Sequence, residues 1–467
     1  MIAPPLVVAT QVPPATRIYR PVLRAMSQTG AAALASGLLS ALATKIIAVA
    51  GGPAALATLS TLQQLRQAAV VAATGNGQTA LVRGSSALSG RERSEHVRTV
   101  ACLFAAATAL VAGSMILWPQ PLAALAGFGA GAGRLIPWLA IPVALTSFLV
   151  FASAVLNALG AIGRLAMLSV IASAAMALGA WPAARAFAVG QRSALVALLT
   201  FSAAVSVAAA LIALVGFHGR LEGWFHGPGS WWSGKAARSF GIMSVTLLAS
   251  GLAASGALLA VRRHILFTQG LIVTGQFDAA WGLSMNQVTL VLSSVQTYYL
   301  PAVAKSRSLT ERDGHISSVL TVAALTAAGV IAGIALFKPW FLRMLYAAAF
   351  EPAAAYLRWT LLGDYLKVTS WILSIPILAA GDMKMFLAAD LVAYTVFVAV
   401  ATGLPPARTA ASSAAIGFVA MYAAHLLLCA IYLRLKLRFV PARRTLAGWV
   451  LGLAVVTAVS ALNWEKT

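Results

Sequence analysis

Charge is what this sequence has least of. Asp, Glu, Lys and Arg make up 9% of its 467 residues, where a soluble domain carries roughly 25%. Hydrophobic residues make up 60%, against roughly 45–50% in soluble chains. A soluble protein of this length needs far more polar side chains to cover its surface, so the solvent this chain anticipates is lipid. Cysteine is nearly missing too. Cys102 and Cys429 both lie in apolar runs, which excludes a disulfide framework and a cysteine-based metal centre. The six histidines show no metal-ligand spacing, and there is no GxSxG, Walker A, HExxH or carboxylate pair at a fixed interval. The sequence therefore points to no catalytic residues, no metal and no cofactor. Without a nucleotide site, an ion gradient or the substrate's own gradient would have to drive any transport. Residues 1–30 also lack an apolar core followed by a small-residue cleavage site, which argues against a cleaved signal peptide.

Acids are the scarcer charge: 11 Asp and Glu stand against 33 Lys and Arg, a net charge of +22. Such a balance can mark a nucleic-acid binder, but here the basic residues sit in short clusters between apolar runs rather than along one polar face. Positive loops facing an anionic cytoplasmic leaflet account for them, and no nucleic-acid partner is expected. A span needs about 20 mostly apolar residues. Runs of that kind lie near 28–50, 55–82, 99–118, 136–159, 164–184, 193–217, 241–261, 277–300, 316–337, 356–380, 385–405 and 411–433. A thirteenth near 445–463 is weaker. The loop charges test this count. Arg17, Arg20 and Arg24 precede the first run, and the even-numbered turns carry Arg83 to Arg98, Arg164, Arg220 to Arg238, Lys305 to Arg312, Lys384 and Arg434 to Arg444. Together these hold 20 of the 33 basic residues, which places the N-terminus in the cytoplasm.

The expected fold is all-α and polytopic, with about 12 transmembrane helices. It divides into an N-terminal extension (1–27), a six-helix lobe (28–217), an inter-lobe linker (218–240), a second six-helix lobe (241–434) and a basic segment with a possible extra span (435–467). The linker region carries five glycines and the pair Trp231-Trp232, residues suited to the membrane–water interface. No residue-level repeat between the halves is evident. Glycines and prolines inside the spans fit close helix packing, or hinging at Gly75-Asn76-Gly77 and Pro376.

An ionisable group inside a bilayer is expensive, so the few such residues are the most informative. Lys45 lies in span 1. Arg66 lies in span 2 beside Gln63, Gln64 and Gln67, a wetted helix face. Arg262, Arg263 and His264 end span 7, and Asp364 and Lys367 share a face of span 10. Lys45 also has the length to snorkel to an interface, the paired arginines suit an interfacial position, and Asp364 and Lys367 can neutralise each other. Jointly the basic excess suggests a cationic central cavity, with Asn286, Gln287, Gln296, Thr297, Tyr298 and Tyr299 of span 8 lining the same space. Its natural ligand is an anion with a large polar part.

Three segments carry a likeness. TKIIAVAGGPAALATLSTLQQL (44–65), SSVQTYYLPAVAK (293–305) and LRWTLLGDYLKVTSWILSIPILA (357–379) resemble Wzx-type polysaccharide and O-antigen flippases, in particular the type that moves the lipid III unit of enterobacterial common antigen. Lys45, Gly52, Pro53 and Gln64 fill the pattern of the first hairpin, with Ala55 where the family has a second glycine. Tyr299, Leu300 and Pro301 match the end of helix 8. Arg263 falls on a basic position after helix 7, and Gly363, Asp364, Lys367 and Val368 match helix 10. The likeness runs from about residue 30 to 435. It implies the fold of the multidrug/oligosaccharidyl-lipid/polysaccharide (MOP) exporter superfamily, two six-helix bundles in a V with alternating access. It also implies a bacterial inner-membrane flippase that moves an undecaprenyl-pyrophosphate-linked oligosaccharide for O-antigen, common-antigen or exopolysaccharide assembly, among membrane lipids and other polysaccharide-assembly proteins. Two alternatives remain: a multidrug or cation antiporter of the same superfamily, which wants acids in its spans, and a membrane-embedded glycan polymerase or ligase, which wants a large outer loop.

Overall fold

The computed structural model describes residues 15–128, 130–306, 308–404 and 409–462, and among them the regular structure is entirely helical. The order is α1 (Ala15–Thr74), α2 (Gln78–Ala87), α3 (Gly90–Leu117), α4 (Pro119–Leu125), a 3-10 turn (Ala130–Leu135), α5 (Ile136–Ala158), α6 (Ile162–Ala188), α7 (Ser193–Val215) and α8 (His218–Phe225). It continues with α9 (Gly234–Lys305), α10 (Leu309–Leu336), α11 (Lys338–Leu345), a 3-10 turn (Ala348–Phe350), α12 (Ala353–Ala379), α13 (Met383–Gly403), α14 (Ala410–Leu435) and α15 (Arg443–Leu462). A helix satisfies its backbone donors and acceptors within its own segment except at its ends, as hydrocarbon demands. Eleven of the helices are long and apolar enough to cross a membrane, and the chain is a multi-pass membrane protein.

Two of the eleven are not single rods. Gly52 in α1 has φ 70° and Gly270 in α9 has φ 82°, backbone conformations that L side chains avoid and glycine allows. Each glycine turns the helix sharply and divides it, into α1a (15–51) and α1b (53–74), and into α9a (234–269) and α9b (271–305). That α9 folds back on itself follows from Arg262 and Asp278. They lie equally far on either side of Gly270, yet their side chains meet at 2.5 Å. Counting the halves, thirteen apolar helical segments result, and α15 occupies the weak thirteenth run. The second expected span stops early: Gly75 and Asn76 take positive φ and end α1 at Thr74, short of residue 82. The first begins early, since α1 is already helical at Ala15.

The structure exposes a repeat that was not evident in the sequence. Gly52 and Gly270 stand 218 positions apart. The same shift carries α3 onto α10, α4 onto α11, one 3-10 turn onto the other, α5 onto α12, α6 onto α13 and α7 onto α14, each within a few residues. Even the short surface helix and its turn recur. Helix α9b maps onto α1b and α2 together, so the break at 75–77 belongs to the first copy only. Once aligned, residues correspond as well: Lys45 falls on Arg263, and Ser89-Gly-Arg-Glu92-Arg93-Ser-Glu-His96-Val97 parallels Ser308-Leu-Thr-Glu311-Arg312-Asp-Gly-His315-Ile316 one position further on.

Each copy has its own core. In the first, α1, α5, α6 and α7 bury Ile47, Leu59, Leu62, Leu139 and Leu199. In the second, Phe277, Leu361, Ile372, Phe397 and Phe418 meet around α12, the most enclosed of the apolar helices. Phe418 lies against Gly363, where any Cβ would collide with its ring. Gly363 thus makes room for an aromatic contact and not for movement. Helix α15 packs on α10 and α12, with the Tyr365 hydroxyl donating to the Trp449 carbonyl at 2.6 Å.

Candidate functional site

The two broken helices meet where the copies touch. A Cβ on Gly275 would strike the backbone of Pro53, so α9b and α1b approach closely at the end of the bundle that carries both glycine breaks. Two cations join the copies at this break end. Lys45 on α1a donates from Nζ to the Met344 carbonyl of α11 at 2.7 Å. Arg262 on α9a donates from Nη1 to the Ser60 carbonyl of α1b at 2.9 Å. The Arg262 guanidinium is held there by Asp278, whose side chain is fully buried. Ser60, Arg262 and Asp278 lie on one level, about 12 Å in from the glycine breaks at 1.5 Å per residue.

A second polar level lies deeper. Arg66 is about 21 Å from Gly52 by the same measure, half-buried, and its Nε is enclosed with no hydrogen-bond partner among the described residues. Gln64 is also half-buried. Position 284 corresponds to position 66 under the repeat. There the Ser284 hydroxyl donates to Asp364 Oδ1 at 2.8 Å, and Asp364 is wholly buried. Lys367, one turn along α12, donates to the Met285 sulfur at 3.1 Å and lies 5.7 Å from the Tyr422 ring and 5.8 Å from the Trp371 ring. The hydroxyls of Thr360, Thr369, Ser370 and Ser374 turn back to carbonyls of their own helix. Asp364 and Lys367 are thus two of the polar groups through which the middle of α12 engages α9b.

The expected site residues do not converge on one point. Among the described residues no hydrogen bond or ion pair joins Lys45, Arg66, Arg263 and Lys367. They form a ladder of cations down the two copies instead. Arg263 is exposed and lies 5.4 Å from the Phe267 ring, about two turns inside α9a rather than at the end of its helix. Asn286 and Gln296 are on α9b, but their side chains lie outside the described residues, as do those of Gln287, Thr297 and Tyr298. Tyr299 is fully buried, and its hydroxyl donates to the Ile372 carbonyl at 3.2 Å.

Sequence reasoning passed over two acids. Asp278 neutralises Arg262. Asp390, on α13, accepts from Ser250 and faces His425. Each is a lone carboxylate inside an apolar helix, the signal that singled out Asp364, and each could have been read the same way. Spans of the second copy are therefore less poor in acids than the overall composition suggested.

No protein-family model matches the sequence, and no curated protein matches it. Solved structures do. An inward-facing multidrug resistance MATE family transporter of the MOP superfamily aligns at TM-score 0.66 and 15% identity, over 91% of this chain and 96% of that one. A MATE transporter in complex with MaD3S aligns at TM-score 0.64 and 15% identity, over 95% and 97%. The lipid II flippase MurJ, in an inward closed conformation, aligns at TM-score 0.64 and 13% identity, over 95% and 99%. At these identities the likeness establishes architecture alone: the chain has the fold that these MATE transporters and the lipid II flippase MurJ share.

Proposed function

We propose that the protein flips a lipid-linked oligosaccharide, carried on undecaprenyl pyrophosphate, across the bacterial inner membrane. The observation that carries this reading is the set of cations carried on apolar helices, above all Arg66, whose buried Nε has no partner among the described residues. A guanidinium is matched to phosphate oxygens by geometry and stays charged where lysine does not. The glycan would pass between the copies while the polyprenyl tail remains in lipid. Loop charge places the N-terminus and the linker end of the bundle in the cytoplasm, and the glycine breaks at the periplasmic side.

Deletion of the gene should cause one lipid-linked glycan to accumulate on the inner leaflet, and its identification names the substrate. Arg66→Ala should abolish export at normal protein level, and Arg66→Lys should retain part of it. Normal export by Arg66→Ala would falsify the phosphate-binding role.

A second reading, an antiporter of lipophilic cations, is favoured by Asp278, Asp364 and Asp390 in the second copy. It expects drug efflux that Asp364→Asn abolishes and Arg66→Ala spares.

A further inference from the structure

Where the chain passes from the first copy to the second, the fold leaves a cavity of about 440 Å³, a size common among small-molecule sites. Helices α2 and α3 of the first copy form two of its walls, and the start of α9a forms the third. In the second copy α15 follows α14 as α9a follows α7. Helix α15 packs on α10, and the Thr321 hydroxyl donates to Thr445 Oγ1 at 3.1 Å. Helix α9a meets α3 just before its first turn, where the Ser233 amide donates to Thr99 Oγ1 at 3.0 Å. It then packs mainly along α1, and the cavity is the space this departure leaves open.

Charged groups of both signs line it. Arg83 of α2 forms no ion pair among the described residues. Glu92 accepts from Lys235 Nζ at 3.1 Å through Oε1, an exposed pair of little strength. Glu95 accepts from Arg91 Nε at 2.7 Å and from the Ser230 amide at 3.4 Å, both through Oε1. The Oε2 atoms of both carboxylates have no hydrogen bond among the described residues. His96 is 3% exposed, and its Nε2 is enclosed beside Gly84 with no partner among the described residues. Its counterpart His315 faces Glu311 at 4.0 Å, whereas here Glu92 is turned to Lys235.

We propose that this cavity binds the headgroup of a phospholipid that joins a phosphate diester to a primary ammonium. A simple anion would face Glu92 and Glu95, and a simple cation would face Arg83. A zwitterion sets each charge against its opposite. Its phosphate oxygens meet the Arg83 guanidinium, and its ammonium hydrogens meet the open oxygens of Glu92 and Glu95. A quaternary ammonium has no hydrogen to give them. The unmet His96 nitrogen is a demand that the headgroup, or water it brings, can satisfy. On the apolar side, Phe240 and Met243 lead to Ile242 and Val245, which are exposed on α9a and offer acyl chains a lipid-facing path. Loop charge assigns this end to the cytoplasmic leaflet. A lipid held here bridges α2 and α3 to α9a, on the helix where Asn76 of the first copy donates to the Leu247 carbonyl at 3.1 Å. The inference concerns a resident lipid and holds for either cargo.

Native mass spectrometry of the purified full chain, titrated with lipids of matched acyl chains, tests it. Phosphatidylethanolamine should bind about tenfold tighter than phosphatidylcholine or phosphatidylglycerol, the effect of one charge-assisted hydrogen bond. That preference should vanish in Arg83→Gln and in the double change Glu92→Gln with Glu95→Gln, and persist in Arg66→Ala. Soluble phosphoethanolamine at equal concentration should not displace the lipid. Equal binding of the three lipids, tightest binding of phosphatidylglycerol, a preference unchanged in either set of variants, or displacement by phosphoethanolamine overturns the proposal. If a charge variant does not fold, Ser239→Trp decides, because it fills the cavity from an exposed position: a preference that survives it overturns the proposal as well. Failure of the flippase reading would leave these outcomes unchanged, since Arg66 lies outside the cavity.

Discussion

Arg262 shows how a single side chain changes meaning once its surroundings are known. By position alone it is a cation near the end of an apolar run, suited to a cavity wall. In the fold it is buried against Asp278 through one terminal nitrogen and donates from the other to the Ser60 carbonyl. Removing one partner of such a pair strands a charge, at a cost of about 3–5 kcal/mol, whereas replacing both by apolar residues is often neutral. Asp278→Asn should therefore sharply lower the yield of monodisperse protein in fluorescence-detected size-exclusion chromatography. The double change Asp278→Leu with Arg262→Met should restore it. Equal loss in the single and double variants would show that packing, not charge, is what the pair supplies. That Asp278 faces Arg262 was illegible in sequence because the pairing depends on the hairpin at Gly270, and hydropathy does not distinguish a glycine that bends a helix from one that merely lets neighbours approach. Asp364 and Lys367 were legible because their charge alone marked them. What each touches, Ser284 and Met285, depends on how α9b lies against α12.

At the scale of elements, the apolar runs were readable because a lipid-facing helix must be apolar all round, and a run of that length has few other uses. Their ends were harder. Gly75-Asn76-Gly77 ends α1 because two successive residues adopt left-handed backbone, a property of conformation that the flanking hydropathy hides. Capping sets other ends. Asp382 precedes α13 and accepts from the Met385 amide at 3.0 Å, while the Tyr432 hydroxyl donates to its other oxygen at 2.9 Å. The Met385 amide, then the Tyr432 hydroxyl, hold the Asp382 carboxyl below the usual carboxylate range. A depressed folded-state pKa contributes stability that is present above the unfolded value and fades as pH falls through the folded one. Asp382→Ala should accordingly lower the thermal midpoint at neutral pH, with the difference from the parent closing as the medium becomes strongly acidic. A gap that stays constant with pH would mean that the side chain acts through packing alone.

At the scale of the whole molecule, the duplication was the feature least visible beforehand. Its two copies keep the order and spacing of their helices while nearly all residues differ, since many apolar sequences satisfy one helical frame. What remains shared, the glycine at each break and the Ser-x-x-Glu-Arg-x-x-His start of α3 and α10, is too sparse to find without the frame. The copies meet tightly at Gly275 and Pro53, and that contact has no room for a methyl group. Gly275→Ala should hold the break end apart. Spin labels at Gln191, between α6 and α7, and at Trp340 of α11, in protein lacking Cys102, should then report a longer separation, with folded yield close to that of the parent. An unchanged distance would place the tight approach outside the motion that opens this end.

Each copy contains an even number of crossings, so both enter the bilayer in the same sense and are related about an axis along its normal rather than one within its plane. The glycine breaks of both copies therefore lie at one face, and the linker, the Asn76 turn, the arginine-rich start of α3 and the start of α10 with Arg312 lie at the other. No symmetry operation exchanges the two faces. A transporter made of inverted copies can open to either side in forms that mirror one another, but this chain cannot. Its two open forms differ in composition and so in free energy, and the resting population is skewed toward one side of the membrane before any cargo or ion binds. Which face stands open at rest is thus inherent in the way the copies were joined, while the gradients across the membrane decide the direction of net travel.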